Sequence, residues 1–288
     1  MALIRQHALG VLVVCCALVA NGCTTVINTA TSGLGESLTA GILNQSDPEI
    51  VRSGAPAYLL LVDGLIRKNP DNVALLLAGA QLYGAYSSAF VDDEERANRL
   101  SQQALNFSRR AVCEREQVLC QVLDAPYEQY VAALNATDED SAEALYVLGQ
   151  TWGTWIQRNT DDWGAVAAIP NVEATIERVV DLDPDIQRGW PHVYLGVLAT
   201  LMPESYGGRP QQGRQHFEKA IAMSNQQNLM AKVLFARHYA RLVFDQSLHD
   251  ELLQQVLDAD VQAPDLTLSN VMAQQLADQL LAESKDYF

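Results

Sequence analysis

Few side chains in this sequence are able to do chemistry, and their spacing limits what they can do. There are 5 cysteines in 288 residues. Cys15 and Cys16 lie in an apolar run near the N-terminus, and Cys23 follows that run. Cys113 and Cys120 remain as a pair, and in an exported chain an even pair reads as a disulfide. Seven residues of continuous helix span roughly 10 Å, whereas a disulfide needs Cα atoms within roughly 7 Å. A bridge therefore requires the helix to end at Glu114–Gln117; two free thiols buried in a continuous helix is the competing reading. No histidine lies near the pair, so it does not read as a zinc site. His192, His216, His238 and His249 fall on separate segments without the i,i+4 spacing of helical metal ligands. They read as packed or surface histidines. Gly-x-Ser-x-Gly, the phosphate-binding Gly-x4-Gly-Lys-Ser/Thr loop and His-Glu-x2-His are absent. The sequence thus presents no enzymatic constellation and no cofactor motif. Its paired carboxylates gather at helix starts, where the helix dipole accounts for them.

The aromatic residues are the better binding candidates. Trp152 and Trp155 share a helix face by their i,i+3 spacing. Trp163 follows, and Trp190 and Tyr194 come two helices later. If helix hairpins stack, these residues are expected to form one aromatic wall lining a cavity or groove for an apolar ligand. Core packing is the plainer reading of the same residues, and of Tyr83 and Tyr86. Gly207-Gly208 is too short to cradle a phosphate and reads as a turn with positive φ. Arg209, beside it, is placed to meet a ligand carboxylate or an acidic partner, or simply to start a helix on the surface.

The elements that must position these residues are helical throughout. Apolar spacing of helical period runs along nearly the whole chain, and alternating β-branched runs and hairpin turns are missing. Helices are expected over Leu34–Asn44, Asp47–Lys68 with a kink or restart at Pro56, Val73–Phe90, and from Asp92-Asp93-Glu94-Glu95 to about Cys113. Further ones are expected over Leu119–Leu134, Asp138–Asn159, Pro170–Leu182, Gln187–Leu201, Gln211–Ser224, Leu229–Val243, Leu248–Ala259 and Leu268–Ser284. The short connections imply antiparallel neighbours, as in an α-solenoid or bundle. Gly213, Phe217 and Ala220 follow the spacing of a tetratricopeptide second helix, and Asn69-Pro70-Asp71 and Asp183-Pro184-Asp185 resemble inter-repeat turns. No strict 34-residue period links them. The expected fold is all-α: stacked antiparallel helix hairpins in a degenerate tetratricopeptide-like arrangement.

The formal net charge is -16, with 49% hydrophobic and 19% charged residues. That composition excludes a disordered chain, and the acidic balance argues against nucleic acid as a partner. Arg5 followed by the uncharged run Ala8–Ala20 has the form of a secretory signal, too short for a comfortable transmembrane helix. Ala20-Asn21-Gly22-Cys23 is similar to a bacterial lipobox, so Cys23 is the expected acylation site and the only expected membrane anchor. An ordinary signal peptide cleaved elsewhere is the alternative. Thr24, in place of Asp, favours the outer membrane. The expected organisation is a signal peptide over 1–22, a lipidated N-terminus and tether over 23–33, and one helical domain over 34–288.

Several segments carry a family resemblance. They are Trp152-Gly153-x-Trp155-Ile156 with Asp161-Asp162-Trp163 and Ile169-Pro170, then Leu182-Asp183-Pro184, and Pro203-x2-Tyr206-Gly207-Gly208-Arg209-Pro210 leading into His216-Phe217-Glu218-Lys219-Ala220-Ile221. Phe235-Ala236-Arg237-x-Tyr239-Ala240, Leu252-Leu253-x2-Val256-Leu257 and Leu268-Ser269-Asn270-x4-Gln275-x-Ala277-x3-Leu281 complete the set. Together they resemble the T component of tripartite ATP-independent periplasmic (TRAP) transporters, a family of periplasmic lipoproteins with cryptic tetratricopeptide-like helices. The resemblance implies a partner-binding, non-enzymatic role: association with the periplasmic solute-binding protein of the transporter, and an apolar cavity for a hydrophobic ligand such as an organic acid. A homo-oligomer is compatible with it. The alternative is a tetratricopeptide-type outer-membrane assembly scaffold with a protein partner and no small ligand.

Overall fold

The computed structural model describes residues 39–288. The expected signal peptide, the acylation site at Cys23 and the tether lie outside the described residues. Thirteen α-helices run from Pro48 to Tyr287, and no strand occurs among the described residues. They are α1 (Pro48–Lys68), α2 (Val73–Phe90), α3 (Glu94–Arg115), α4 (Gln117–Cys120), α5 (Tyr127–Leu134), α6 (Ala142–Arg158), α7 (Trp163–Ala167), α8 (Ile169–Leu182), α9 (Trp190–Ala199), α10 (Pro210–Met223), α11 (Leu229–Leu234), α12 (Gln246–Leu257) and α13 (Thr267–Tyr287). The all-α expectation holds.

Polar side chains set the boundaries. Asp47 accepts from the Glu49 amide, Asn72 from Leu75, Asp93 from Arg96 and Asp245 from Leu248. Each satisfies an amide that the first helical turn leaves without a partner. Pro56 does not interrupt α1. Its ring cannot donate to the Arg52 carbonyl one turn back, and that carbonyl instead accepts from the Tyr86 hydroxyl of α2 at 3.4 Å.

Four expected segments differ from the structure. Leu119–Leu134 is two helices rather than one, because Pro126 lacks an amide proton and keeps Ala125 out of helical conformation. The helix expected from Gln187 starts only at Trp190: Gln187, Arg188 and Gly189 have φ of 51°, 50° and 89°, a left-handed run that no right-handed helix includes. The Asp138 segment opens as a 3₁₀ turn over Glu139–Ser141 before α6. The segment after α11 winds as a π-helix over Phe235–Ala240.

The helices pack as successive neighbours: α1 on α2, α2 on α3, α3 on α6, α6 on α8, α8 on α9 and α9 on α10, with α11, α12 and α13 closing the C-terminal part. α2 carries no charge over 18 residues and is apolar and long enough to cross a membrane, yet half of it is buried inside the protein. Its neighbours α1, α3 and α6 make it a core helix. Two apolar clusters result. One gathers α1–α8 around Leu76, Leu105, Leu145 and Ile156; the other gathers α9–α13 around Val193, Phe217, Val233 and Leu253. In the second, α9 and α10 approach closely because Gly196 faces the Phe217 ring. A methyl group on Gly196 would lie 2.9 Å from that ring. Across the stack, the Asn44 and Asp265 pair exchanges two hydrogen bonds, of 3.2 and 2.9 Å. Arg188 joins them through Asp265 at 3.6 Å and the Pro264 carbonyl at 3.0 Å.

Candidate functional site

α6 places Tyr146 and Gln150 one turn apart, and α9 does the same with Trp190 and Tyr194, so each pair shares a face. The two faces meet. Tyr146 and Tyr194 approach edge to face with ring centroids 6.2 Å apart, and Trp190 lies 6.2 Å from Tyr194. The Tyr194 phenol also interacts with Gln150, whose Oε1 is buried without a hydrogen-bond partner. Trp190, Tyr194 and Leu198 of α9, Ile186 before it and Met272 of α13 pack only partly buried against the N-terminal cluster. Burial raises both phenols: Tyr194 to about 12 and Tyr146 well above its usual value. Both stay protonated hydroxyls at neutral pH. The site therefore offers aromatic faces, two hydroxyl donors and one amide.

The other expected aromatic residues do not join this wall. Nine helical residues turn through about 900°, which places Trp155 on the far side of α6 from Tyr146. Trp155 keeps a buried Nε1 without a partner there. Trp152 packs on Tyr130 of α5 at 6.0 Å and under the Arg109 guanidinium at 5.9 Å. Trp163, on the short helix α7, is 86% exposed. The single wall expected from sequence is thus divided by α6, with Trp190 and Tyr194 on one side and Trp152 and Trp155 turned away.

Gly207 adopts φ 89° as the turn requires. Gly208 is held by proximity, since a methyl group there would lie 1.6 Å from the Met202 carbonyl oxygen. Arg209 forms an ion pair with Glu173 of α8, and its amide donates to the Ala199 carbonyl at 2.8 Å. Its guanidinium is thereby committed to its own chain. Beside it, Leu201, Met202 and Tyr206 are exposed. Cys113 and Cys120 are joined by a disulfide with Cα atoms 4.6 Å apart. The helix break that allows it falls at Glu116, whose φ and ψ of -124° and 78° are not helical.

One pair was not legible from spacing. His192 of α9 and His216 of α10 stack with centroids 5.2 Å apart and Nδ1 atoms 3.0 Å apart. One Nδ1 must donate and the other accept, so the accepting ring is neutral. Burial, with Lys219 next and His216 after it, lowers His192 to about 4; burial and Lys219 lower His216 as well. Among the described residues no three His, Cys, Asp or Glu side chains converge as metal ligands.

A family model described as TRAP transporter T-component matches residues 44–288. The chain belongs to that family. The match begins just before α1 and takes in every helix above, including both faces of the Tyr146–Tyr194 contact. Membership makes the protein an accessory of TRAP transport, a periplasmic role rather than that of an enzyme family. No curated protein matches the chain.

Proposed function

We propose that this T component is a lipid-anchored periplasmic accessory that binds the solute-binding protein of a TRAP transporter and holds an apolar ligand between α6 and α9. The observation that carries the ligand reading is the contact of half-buried Trp190 and Tyr194 with buried Tyr146 around an unpartnered Gln150 Oε1. A buried acceptor without a partner costs about 1–3 kcal/mol. A ligand with a polar head removes that cost, while its apolar body covers Trp190 and Leu198. An organic acid in its neutral form fits: its carboxyl O–H donates to Gln150 Oε1, and its carbonyl oxygen accepts from a phenol. Family membership supports the partner, and the lipobox-like Ala20–Cys23 supports the anchor.

Affinity purification of the mature protein is expected to recover a solute-binding protein; recovery of outer-membrane assembly factors alone would overturn the partner. Native mass spectrometry of the same sample reads the ligand. Tyr194→Ala is expected to lose any co-purified small molecule, and an unchanged ligand mass would exclude this site. Cys23→Ala is expected to release the protein from the membrane fraction.

A further inference from the structure

Beyond α6, the hairpin corners differ between the two ends of the stack. At one end lie the corners 183–189, 224–228 and 258–266, rich in Asp, Asn and Gln. Among the described residues none of these exposes a large apolar side chain. At the other end lie 159–168, 200–208 and 242–245. There Trp163, Tyr206 and Phe244 are 86%, 76% and 72% exposed, and Leu201, Met202 and Val243 are exposed beside them. Single apolar residues on a surface are ordinary, whereas a group of them marks a place of contact. Helix packing brings the three corners side by side. The Arg209–Glu173 ion pair joins the second to the first. Gln211 donates to the Tyr239 hydroxyl at 3.5 Å, which joins the second to the segment ending at Phe244. The surroundings are acidic. Asp161, Asp162, Glu204 and Asp245 belong to these corners, and none of the three contains Lys or Arg. The arginines that border them are committed elsewhere: Arg158 to the Ser87 carbonyl, Arg209 to Glu173 and Arg241 to Glu283.

Resting on the partner proposed above, we infer that these three corners are the face on which the solute-binding protein docks, and that its matching surface is an apolar patch rimmed by Lys and Arg. Charge selects this occupant. Two copies of this chain meeting through the face would set carboxylates against carboxylates, a like-charge juxtaposition that disfavours a second copy. An anionic lipid surface is repelled by the same groups. A basic rim pairs with them and steers the encounter. The residue types fit as well, since Trp, Tyr, Phe and Met are those that the centres of protein interfaces enrich. Three aromatic side chains of ~150–250 Å² each, mostly exposed, supply with their apolar neighbours on the order of 800 Å², one partner's share of a standard interface. The face is also free of the N-terminal strap, because Asn44 is fastened to Asp265 at the opposite, polar end.

The test uses the mature chain with Cys23→Ala and the purified solute-binding protein of its transporter, with binding read by calorimetry. The parent chain is expected to bind, and to bind more weakly as salt rises. Trp163→Ser combined with Tyr206→Ser is expected to raise Kd at least ~100-fold with unchanged circular dichroism. Asp161→Lys combined with Glu204→Lys is expected to raise it about 10-fold and to flatten the salt dependence. Val118→Ser removes an apolar side chain that is 66% exposed on α4, away from the face, and is expected to leave Kd unchanged. If the parent chain binds and the Trp163→Ser, Tyr206→Ser protein binds equally well, the face is wrong and the partner stands. The same holds if Val118→Ser weakens binding as much. If the parent chain does not bind, the partner falls and the face with it. An assembly of copies in sedimentation that Trp163→Ser with Tyr206→Ser disperses would overturn the docking face in favour of contact between copies.

Discussion

In α3–α8 buried polar groups meet hydroxyl to hydroxyl. Ser108 faces Thr151 at 2.7 Å, and Tyr130 faces Thr175 at 2.5 Å. In α9–α13 they meet through nitrogen: His192 stacks on His216, and Lys232 donates to Gln255 at 3.0 Å. The N-terminal part adds a covalent bond between Cys113 and Cys120. The C-terminal part relies instead on the close approach of α9 and α10 and on a π-helical turn. Hydroxyl pairs do not titrate between pH 4 and 9, whereas imidazoles do. The two parts should therefore respond to different stresses, one to reductant and the other to acid.

The largest effect is expected from Phe217→Ala. The ring is fully buried and stacks on Phe235 at 5.3 Å, so its loss should cost about 3–5 kcal/mol. Hydrogen exchange should rise in α9–α12 well before α2, α3 and α6; uniform acceleration would show that the two clusters unfold as one.

Acid comes next. His192 and His238 are each lowered from 6.5 to about 4, by burial first, with nearby positive charge adding to it. Between those values the unfolded chain binds more protons than the folded one, so stability is full above pH 6.5 and falls as pH drops toward 4. The His192 shift alone corresponds to about 3 kcal/mol of that loss, which is read as a falling Tm and is expected to be concentrated in the C-terminal helices. A Tm that is flat across this window would remove the titration half of the comparison.

Removing the disulfide with Cys113→Ser and Cys120→Ser should cost about 2–3 kcal/mol, since the closed loop is short. Exchange should rise at the α3–α5 corner and leave α9–α13 protected. Asn72→Ala is the smallest of the four, about 1 kcal/mol from one lost cap, confined to the α1–α2 corner.

Local rules made much of the fold readable. Asp47, Asn72 and Asp93 announce helix starts by residue type, and Gly207-Gly208 announces a turn. The exceptions arose where long-range packing outweighed local preference. Gln187 and Arg188 adopt positive φ without being Gly or Asn, so nothing in their identity signals it. The π-helical turn at Phe235–Ala240 carries the same apolar spacing as an α-helix. Within the site, Trp190 and Tyr194 lie near each other by helical spacing, but their partner Tyr146 depends on how α6 packs against α9. Once Tyr146 is known to face α9, helical period alone turns Trp155, nine residues on, to the far side of α6. His192 and His216 are 24 residues apart and meet only because the α9–α10 hairpin closes in one register.

The junction of Asn44, Asp265 and Arg188 has a mechanical consequence. Asn44 is near the start of the described chain, whereas Asp265 lies in the α12–α13 loop and Arg188 in the α8–α9 turn. Tension applied at the N-terminus is therefore shared. Part of the load passes directly into the last hairpin and across to the foot of α9, and only the remainder peels α1 from α2. A protein pulled from that end should resist as a strapped ring rather than unzip as a ribbon. Breaking the strap with Asn44→Ala would restore the sequential path, read as a lower first rupture force.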